Sequence, residues 1–236
     1  MITYKPITDY SKGIGQKNTG LGNQMFQVAS TIGIAEKNNQ WWTLPKWNHP
    51  FAHEFPCDDT EGFEIRRVAW GYRDMRVSGD VALRGYMQSE KYFLHCEDMI
   101  REMFTFKDSV YVEEGDFISV HVRRGDYNPE HLVWLDTDYY DRALSVLPDL
   151  PIYVFTDDIE AAQSLILADY YFTGAPFTDF QRMTKAKYHI IANSSFSWWA
   201  AWLSDAEAVV APSQWFGIKK AKWETKDLIP EDWIIV

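Results

Sequence analysis

Cysteine is nearly absent. Cys57 and Cys96 are the two in 236 residues, neither has partners at metal-ligand spacing, and both read as free buried thiols. No apolar run approaches the roughly 20 residues a membrane helix needs, and the opening MITYKPITDY has no signal-peptide apolar core. The expectation is a cytoplasmic protein without a membrane span. Positive charge is short as well: 23 Lys and Arg stand against 34 Asp and Glu, a net charge of −11. That argues against nonspecific nucleic-acid binding, which needs surplus cations to displace counterions. In such a field a local cluster of arginines must be specified by position. Repeats, low-complexity tracts and long charge blocks are missing too.

What remains is an ordinary globular composition, 46% hydrophobic and 24% charged, long enough for one large domain or two small ones. Aromatic residues reach 16% with eleven Trp, mostly packing material and also compatible with sugar faces. The second half alternates strands and helices. FISVHV (117–122) has β-branched residues at period two, TDYYDRALSVL (137–147) is helical and stops before Pro148, and IYVF (152–155) is a short buried strand. DDIEAAQSLIL (157–167) is a helix, YHIIA (188–192) a strand, FSWWAAWLS (196–204) a helix and AVVA (208–211) a strand. Such alternation implies a parallel sheet with helices on both faces. In the first half, residues 23–39 place Met25, Val28, Ile32 and Ala35 on one helical face. WWTL (41–44) reads as a strand, 45–80 as mostly loop, VALRGY (81–86) as a strand and 89–104 as a helix capped by Ser89. The polar stretch 107–116 separates the halves, giving domains 1–112 and 113–236.

Ligands of parallel α/β sheets bind beyond the carboxyl ends of strands, and three strand ends carry chemistry here. At the first, His121 precedes Arg123, Arg124, Gly125 and Asp126. Strand alternation puts Arg123 on the side of His121, and a guanidinium matches phosphate oxygens in a bidentate way. The competing reading is an Arg124–Asp126 pair that ties the turn, and both can hold, with Arg123 as ligand and Arg124 as brace. The RGD tripeptide itself is read as coincidence. At the second, Asp157 and Asp158 suggest a metal, but Asp157 with Glu160 has capping-box spacing, and the cap is preferred. At the third, Asn193, Ser194 and Ser195 precede a helix whose N–H groups suit phosphate, against the bland reading of a serine N-cap. In the first half, TGLGNQMFQ (19–27) reads as a ligand-facing loop through Gly20, Gly22 and Asn23, lacking a full dinucleotide or P-loop pattern.

With GLGNQMFQ, GYMQSEKYF, HVRRGDY, FTDDIE, KYHIIANSSFSWWAAWL and DLIPEDWIIV in view, the chain resembles the bacterial α-1,2-fucosyltransferases of glycosyltransferase family 11 along nearly its whole length. The resemblance implies an α/β, GT-B-like fold, two Rossmann-like halves facing a cleft, with the N-terminal half reduced and on the acceptor side. It implies an inverting enzyme that moves L-fucose from GDP-L-fucose to a galactose-terminated oligosaccharide in α-1,2 linkage, without metal or cofactor. Another linkage or acceptor, or a non-catalytic nucleotide-sugar-binding protein, are the alternatives. The implied donor residues are His121 near the nucleotide and Arg123 on the diphosphate, where it is also the catalytic group. Arg124 and Asp126 stand beside them, Ser194, Ser195 and Phe196 cradle the phosphates, and Asp179 holds guanine. Asn23 and Gly22 come from the first half. For Asp179 the role of a helix N-terminal acid stands as an equal alternative. Two departures from the family pattern are the inserted DYSKGIGQKN and Thr19 in place of a usual Gly. No general base is readable; Asp126, Glu90 and His95 are the nearby options.

Overall fold

The structure, a computed structural model, describes residues 1–7, 20–111, 116–125 and 128–236. Thr19, the whole inserted stretch and Asp126 therefore lie outside the described residues, as does part of the polar stretch between the halves. The chain forms two compact units, 1–108 with 224–230, and 109–223 with 231–236.

The first unit contains β1 (Ile2–Tyr4), α1 (Leu21–Lys37), β2 (Glu64–Arg67), β3 (Val81–Arg84) and α2 (Glu97–Met103). Its three strands are parallel in the order β1-β3-β2. Sequence periodicity placed one face of α1 in the core, yet the helix is buried on all sides from Met25 to Ala35. Small and polar residues make that possible. Gly33 lets the helix approach the chain at Tyr92, whose carbonyl would lie 2.2 Å from a Cβ there. Gln27 and Ser30 donate to the Gly85 and Met87 carbonyls at 3.1 and 2.9 Å, so their burial leaves no unsatisfied donor. Asn38 ends the helix: its amide donates to the Ile34 carbonyl, and its side-chain oxygen accepts from the Val77 N–H.

Several first-half expectations are corrected. WWTL is a strand only in embryo, a single bridge from Trp42 to Ile2. Residues 45–80 include β2, whose EIRR lacks the apolar alternation that would have announced it. The helix expected over 89–104 is broken into two 3₁₀ turns, Glu90–Tyr92 and Leu94–Cys96, before α2. Ser89 does cap, but it caps the first 3₁₀ turn, accepting from the Lys91 N–H at 3.3 Å. Both cysteines are free, but Cys57 is exposed and Cys96 half-buried. Burial first, then the negative Glu36, pushes the Cys96 thiol up to about 11, so it stays protonated and unreactive.

The second unit holds β4 (Ile118–Val122), α3 (Thr137–Ser145), β5 (Ile152–Thr156), α4 (Ile159–Leu165), β6 (Tyr170–Phe172), α5 (Pro176–Met183), β7 (Tyr188–Ile190), α6 (Ser195–Trp202), β8 (Ala208–Ala211) and β9 (Ile234–Ile235). Among the described residues these form a six-stranded sheet, order β6-β5-β4-β7-β8-β9, every pairing parallel. Relabelled from β4, that is the order 3-2-1-4-5-6 of a doubly wound Rossmann sheet. Ile118, Val120 and Val122 point to the face covered by α3 and α4, in a core with Tyr139, Tyr140, Ala143 and Ala162. Ser119 and His121 point the other way by strand alternation, toward α5 and α6. The connections thus leave β4 and β7 on opposite faces, which makes these two strand ends the switch point of the sheet. β6 and β9 escaped sequence reading because they are three and two residues long.

α6 carries the tryptophan density. Trp198 and Trp199 are fully buried, with Trp198 5.1 Å from Trp199 and 5.5 Å from Trp233, ring centre to ring centre. That packing fixes the first turn of α6, which matters for the site.

The sheet also buries an orphaned polar pair. His189 and Ser119 are register partners on β7 and β4, both wholly inaccessible. Neither imidazole nitrogen nor the serine hydroxyl has a hydrogen-bond partner among the described residues. Burial drives the His189 pKa down to about 3. His121 on the same face also falls to about 3, through burial first and the Arg123 cation second, against the opposing pull of Asp157. Both are neutral in the fold and titrate near 6.5 when unfolded. The unfolded chain thus holds more protons between those values, and stability, full above about pH 6.5, is lost as pH falls toward 3. Each histidine should cost about 2 kcal/mol at pH 5 relative to pH 8. Urea midpoints at the two pH values measure this. His189→Leu, which removes one titrating group, should reduce the stability difference between the two pH values by about 2 kcal/mol; an unchanged slope would contradict the assignment.

Candidate functional site

The arginine corner is built by Asp157. Arg123 and Arg124 follow β4, and Asp157 follows the adjacent β5. One Asp157 oxygen accepts from the Arg124 N–H at 2.9 Å; the other accepts from the Gly125 N–H at 3.0 Å and pairs with Arg123 Nη1 at 3.0 Å. Gly125 is needed for this contact, since a Cβ there would lie 2.7 Å from an Asp157 oxygen. The capping-box reading of Asp157 with Glu160 is therefore corrected. The cap of α4 is Asp158, which accepts from the Ala161 N–H at 3.0 Å, leaving Asp157 for the corner. Sequence spacing could not distinguish two adjacent aspartates.

Arg124 turns away from Arg123, as alternation implied. Its guanidinium donates to the Leu135 carbonyl and lies over the Trp134 ring at 5.1 Å. It is a brace, though on Leu135 and Trp134; the Asp126 partner expected for it lies outside the described residues.

The helix mouth stands beside the corner because β7, which leads into α6, is the neighbour of β4. Ser194 is the N-cap of α6, its hydroxyl accepting from the Phe196 N–H at 3.3 Å, and Ser195 opens the first turn. Asn193 is not part of a cradle. Its amide donates to the Val133 and Trp215 carbonyls, both at 2.8 Å, and staples the loop after β4 to the chain after β8. His121 Nδ1 lies 2.8 Å from the Ser197 hydroxyl, one turn into α6. Phe196 packs 5.7 Å from the His121 ring and 5.1 Å from Phe180 of α5. With its pKa near 3, His121 is a neutral hydrogen-bonding group, so cationic charge at these strand ends comes from arginine.

Asp179, in the first turn of α5, is nearly buried. Its oxygens accept from the Gly174 N–H at 2.7 Å and Arg182 Nη1 at 3.2 Å. Burial raises its pKa, opposed by those two donors. Each carboxylate oxygen retains a second acceptor site. His121, Arg123, Ser194, Ser195, Phe196 and Asp179 thus all belong to the second unit, at the carboxyl ends of its strands or on the helices that follow. Gly22 and Asn23 belong to the first turn of α1 in the first unit, where Gln88 donates to the Asn23 side-chain oxygen at 2.6 Å. Of the possible bases, Glu90 and His95 lie in the two 3₁₀ turns of that unit. Among the described residues no group of three His, Cys, Asp or Glu is arranged to hold a metal ion, and no helix is long and apolar enough to cross a membrane.

A doubly wound parallel sheet whose switch point carries an arginine corner and a serine-capped helix defines a Rossmann-type domain. The chain belongs to glycosyl transferase family 11, whose model matches residues 72–236. It is 37% identical over 185 residues to an alpha-1,2-colitosyltransferase of Escherichia coli, covering 67% of this chain and 63% of that protein. It is 32% identical over 193 residues to the O-antigen biosynthesis glycosyltransferase WbnK of Escherichia coli, covering 68% and 62%. Galactoside alpha-(1,2)-fucosyltransferase 1 of Lagothrix lagotricha is 28% identical over 238 residues, covering 80% of this chain and 64% of that one. The chain spans somewhat less than two thirds of the length of these relatives.

Proposed function

We propose that this chain transfers L-fucose from GDP-L-fucose to a hydroxyl of a galactose-terminated glycan, in α-1,2 linkage and with inversion. The observation that carries the reading is the convergence of Arg123, held by Asp157, and the mouth of α6 on adjacent strand ends. In this reading Arg123 and the first-turn N–H groups of α6 grip the diphosphate, and His121 and Phe196 form the floor below it. Asp179 takes the guanine edge. Asn23 and Gly22 contribute from the first unit in a GT-B arrangement of facing halves, on the acceptor side. The acceptor hydroxyl attacks the anomeric carbon through an oxocarbenium-like state, giving up its proton to solvent as the bond to the β-phosphate breaks and its electron pair stays with GDP. Arg123 and the helix N–H groups offset the charge that builds on GDP, so the reading needs no metal or cofactor. A cytoplasmic location belongs to the same proposal.

A second donor deserves a place because one relative is named a colitosyltransferase and is 37% identical. The shared grip on the nucleotide would serve either sugar. Incubation with GDP-L-fucose or a colitosyl donor and a panel of β-galactosides, read by mass and linkage analysis, tests both. Binding of GDP in calorimetry with no product across the panel would instead favour a non-catalytic nucleotide-sugar-binding protein. Absence of any GDP binding heat would remove the donor site altogether.

A further inference from the structure

We propose that Trp134 is the platform on which the sugar ring of the donor lies. The inference rests on the donor-site reading above and names a residue that neither the motif comparison nor the sequence pattern singled out.

Trp134 is 51% exposed, unusual for an indole on a segment this firmly held. The loop carrying it, residues 128–136, is pinned along its length. Val133 donates its N–H to the Trp215 carbonyl at 3.3 Å and accepts from Asn193 at 2.8 Å; Leu132 bridges Phe216. Lys219 and Gly217 donate their N–H groups to the Glu130 and His131 carbonyls at 2.8 and 3.0 Å. At its end, Asp136 caps α3. Loops built this tightly hold a side chain in one place, and here the side chain is left half in water.

Arg124 decides which way the ring faces. Its guanidinium stands 5.1 Å from the indole centre while donating to the adjacent Leu135 carbonyl, so one face of the ring is covered and the tilt is fixed. Arg124 points away from Arg123, and it is Asn193 that ties the indole's loop to the site. This residue, just before the Ser194 cap of α6, donates to the Val133 carbonyl at 2.8 Å. Trp134 thus follows a residue held against the α6 mouth that the reading above places on the diphosphate.

Topology assigns the two ends of the donor. Asp179, the guanine candidate, is tied to Gly174, two residues past β6, on one flank of the β4–β7 switch point. The Trp134 loop is tied to Trp215 and Phe216, past β8, on the other flank. Base and sugar extend from opposite ends of a diphosphate, so a base at the β6 flank sends the sugar toward β8. A pyranose offers C–H groups on its faces, and L-fucose a methyl besides. These suit the electron-rich face of an indole, whose other side Arg124 occupies.

The test uses Trp134→Gln and Trp134→Phe with two probes, GDP and GDP-L-fucose, in calorimetry and steady-state transfer. GDP affinity should stay within about twofold in both variants, which also reports that the site is folded. GDP-L-fucose should bind about five- to tenfold more weakly to Trp134→Gln, with most of the loss recovered in Trp134→Phe. Equal weakening of GDP and GDP-L-fucose would overturn the proposal, as would an unchanged donor KM with a raised acceptor KM. A parent chain that binds neither probe would overturn the donor-site reading and this proposal with it, whereas a loss confined to the variants bears on Trp134 alone.

Discussion

Replacing Arg123 with alanine is expected to lower sugar transfer at least about a hundredfold while leaving the urea midpoint close to that of the parent. The departing diphosphate gains negative charge in the transition state, and a fixed guanidinium meets it without reorganisation. Losing one such preorganised contact costs about 3 kcal/mol, or two orders of magnitude in rate. The fold should survive because Arg123 keeps more than a quarter of its side chain exposed and its pair with Asp157 is only partly screened from water. Ion pairs of that kind contribute at most about 1 kcal/mol to stability. Steady-state transfer and a denaturation curve, run on the same preparation, measure the two effects separately. Near-parental turnover would remove Arg123 from the mechanism.

The second large effect is expected at Asp157, which has no contact with substrate in this reading. Asp157→Ala removes three interactions at once, those with the Arg123 guanidinium and with the main-chain N–H groups of Arg124 and Gly125. Arg123 then loses its fixed orientation, and the turn that launches it loses two acceptors. A positioned cation is worth far more in a transition state than a mobile one. We expect transfer to fall by about thirty- to a hundredfold, with GDP affinity reduced by no more than about tenfold. Stability should fall by about 1–3 kcal/mol, since main-chain donors lose their acceptor. Asp157→Asn keeps one acceptor oxygen and the size of the side chain, so it should recover part of the rate. Gly125→Ala offers an independent approach to the same contact, because its Cβ would intrude on the carboxylate. A variant of Asp157 that loses stability but transfers at the parental rate would leave it a purely structural residue.

Much of this was legible in the order of residues, and the misses have physical causes. β4, β5, β7 and β8 were readable because buried parallel strands are short runs of β-branched and aromatic residues between helices of clear period. β2 was missed because EIRR is mostly exposed, and β9 because two residues leave no pattern to read. The broken helix after Ser89 follows a segment whose apolar residues fit helical spacing locally, while its backbone yields to the approach of α1 through Gly33. At the site, Arg123, Ser194 and Ser195 were visible as residue types that suit phosphate. The duties of Asp157 and Asn193 were not, because each depends on neighbours 22 or more positions away: Asp157 on Arg124 and Gly125, Asn193 on Trp215 and Val133.

The sequence by itself determined the alternation of strands and helices, the neutral or acidic exterior and the chemical types at each strand end, since these follow from local periodicity and composition. Tertiary structure alone decided which strand ends are neighbours, which of two adjacent aspartates caps a helix, and what each arginine leans on. Those are questions of distance between residues far apart in the chain, and spacing along a polymer fixes distances only within a helix turn or a strand.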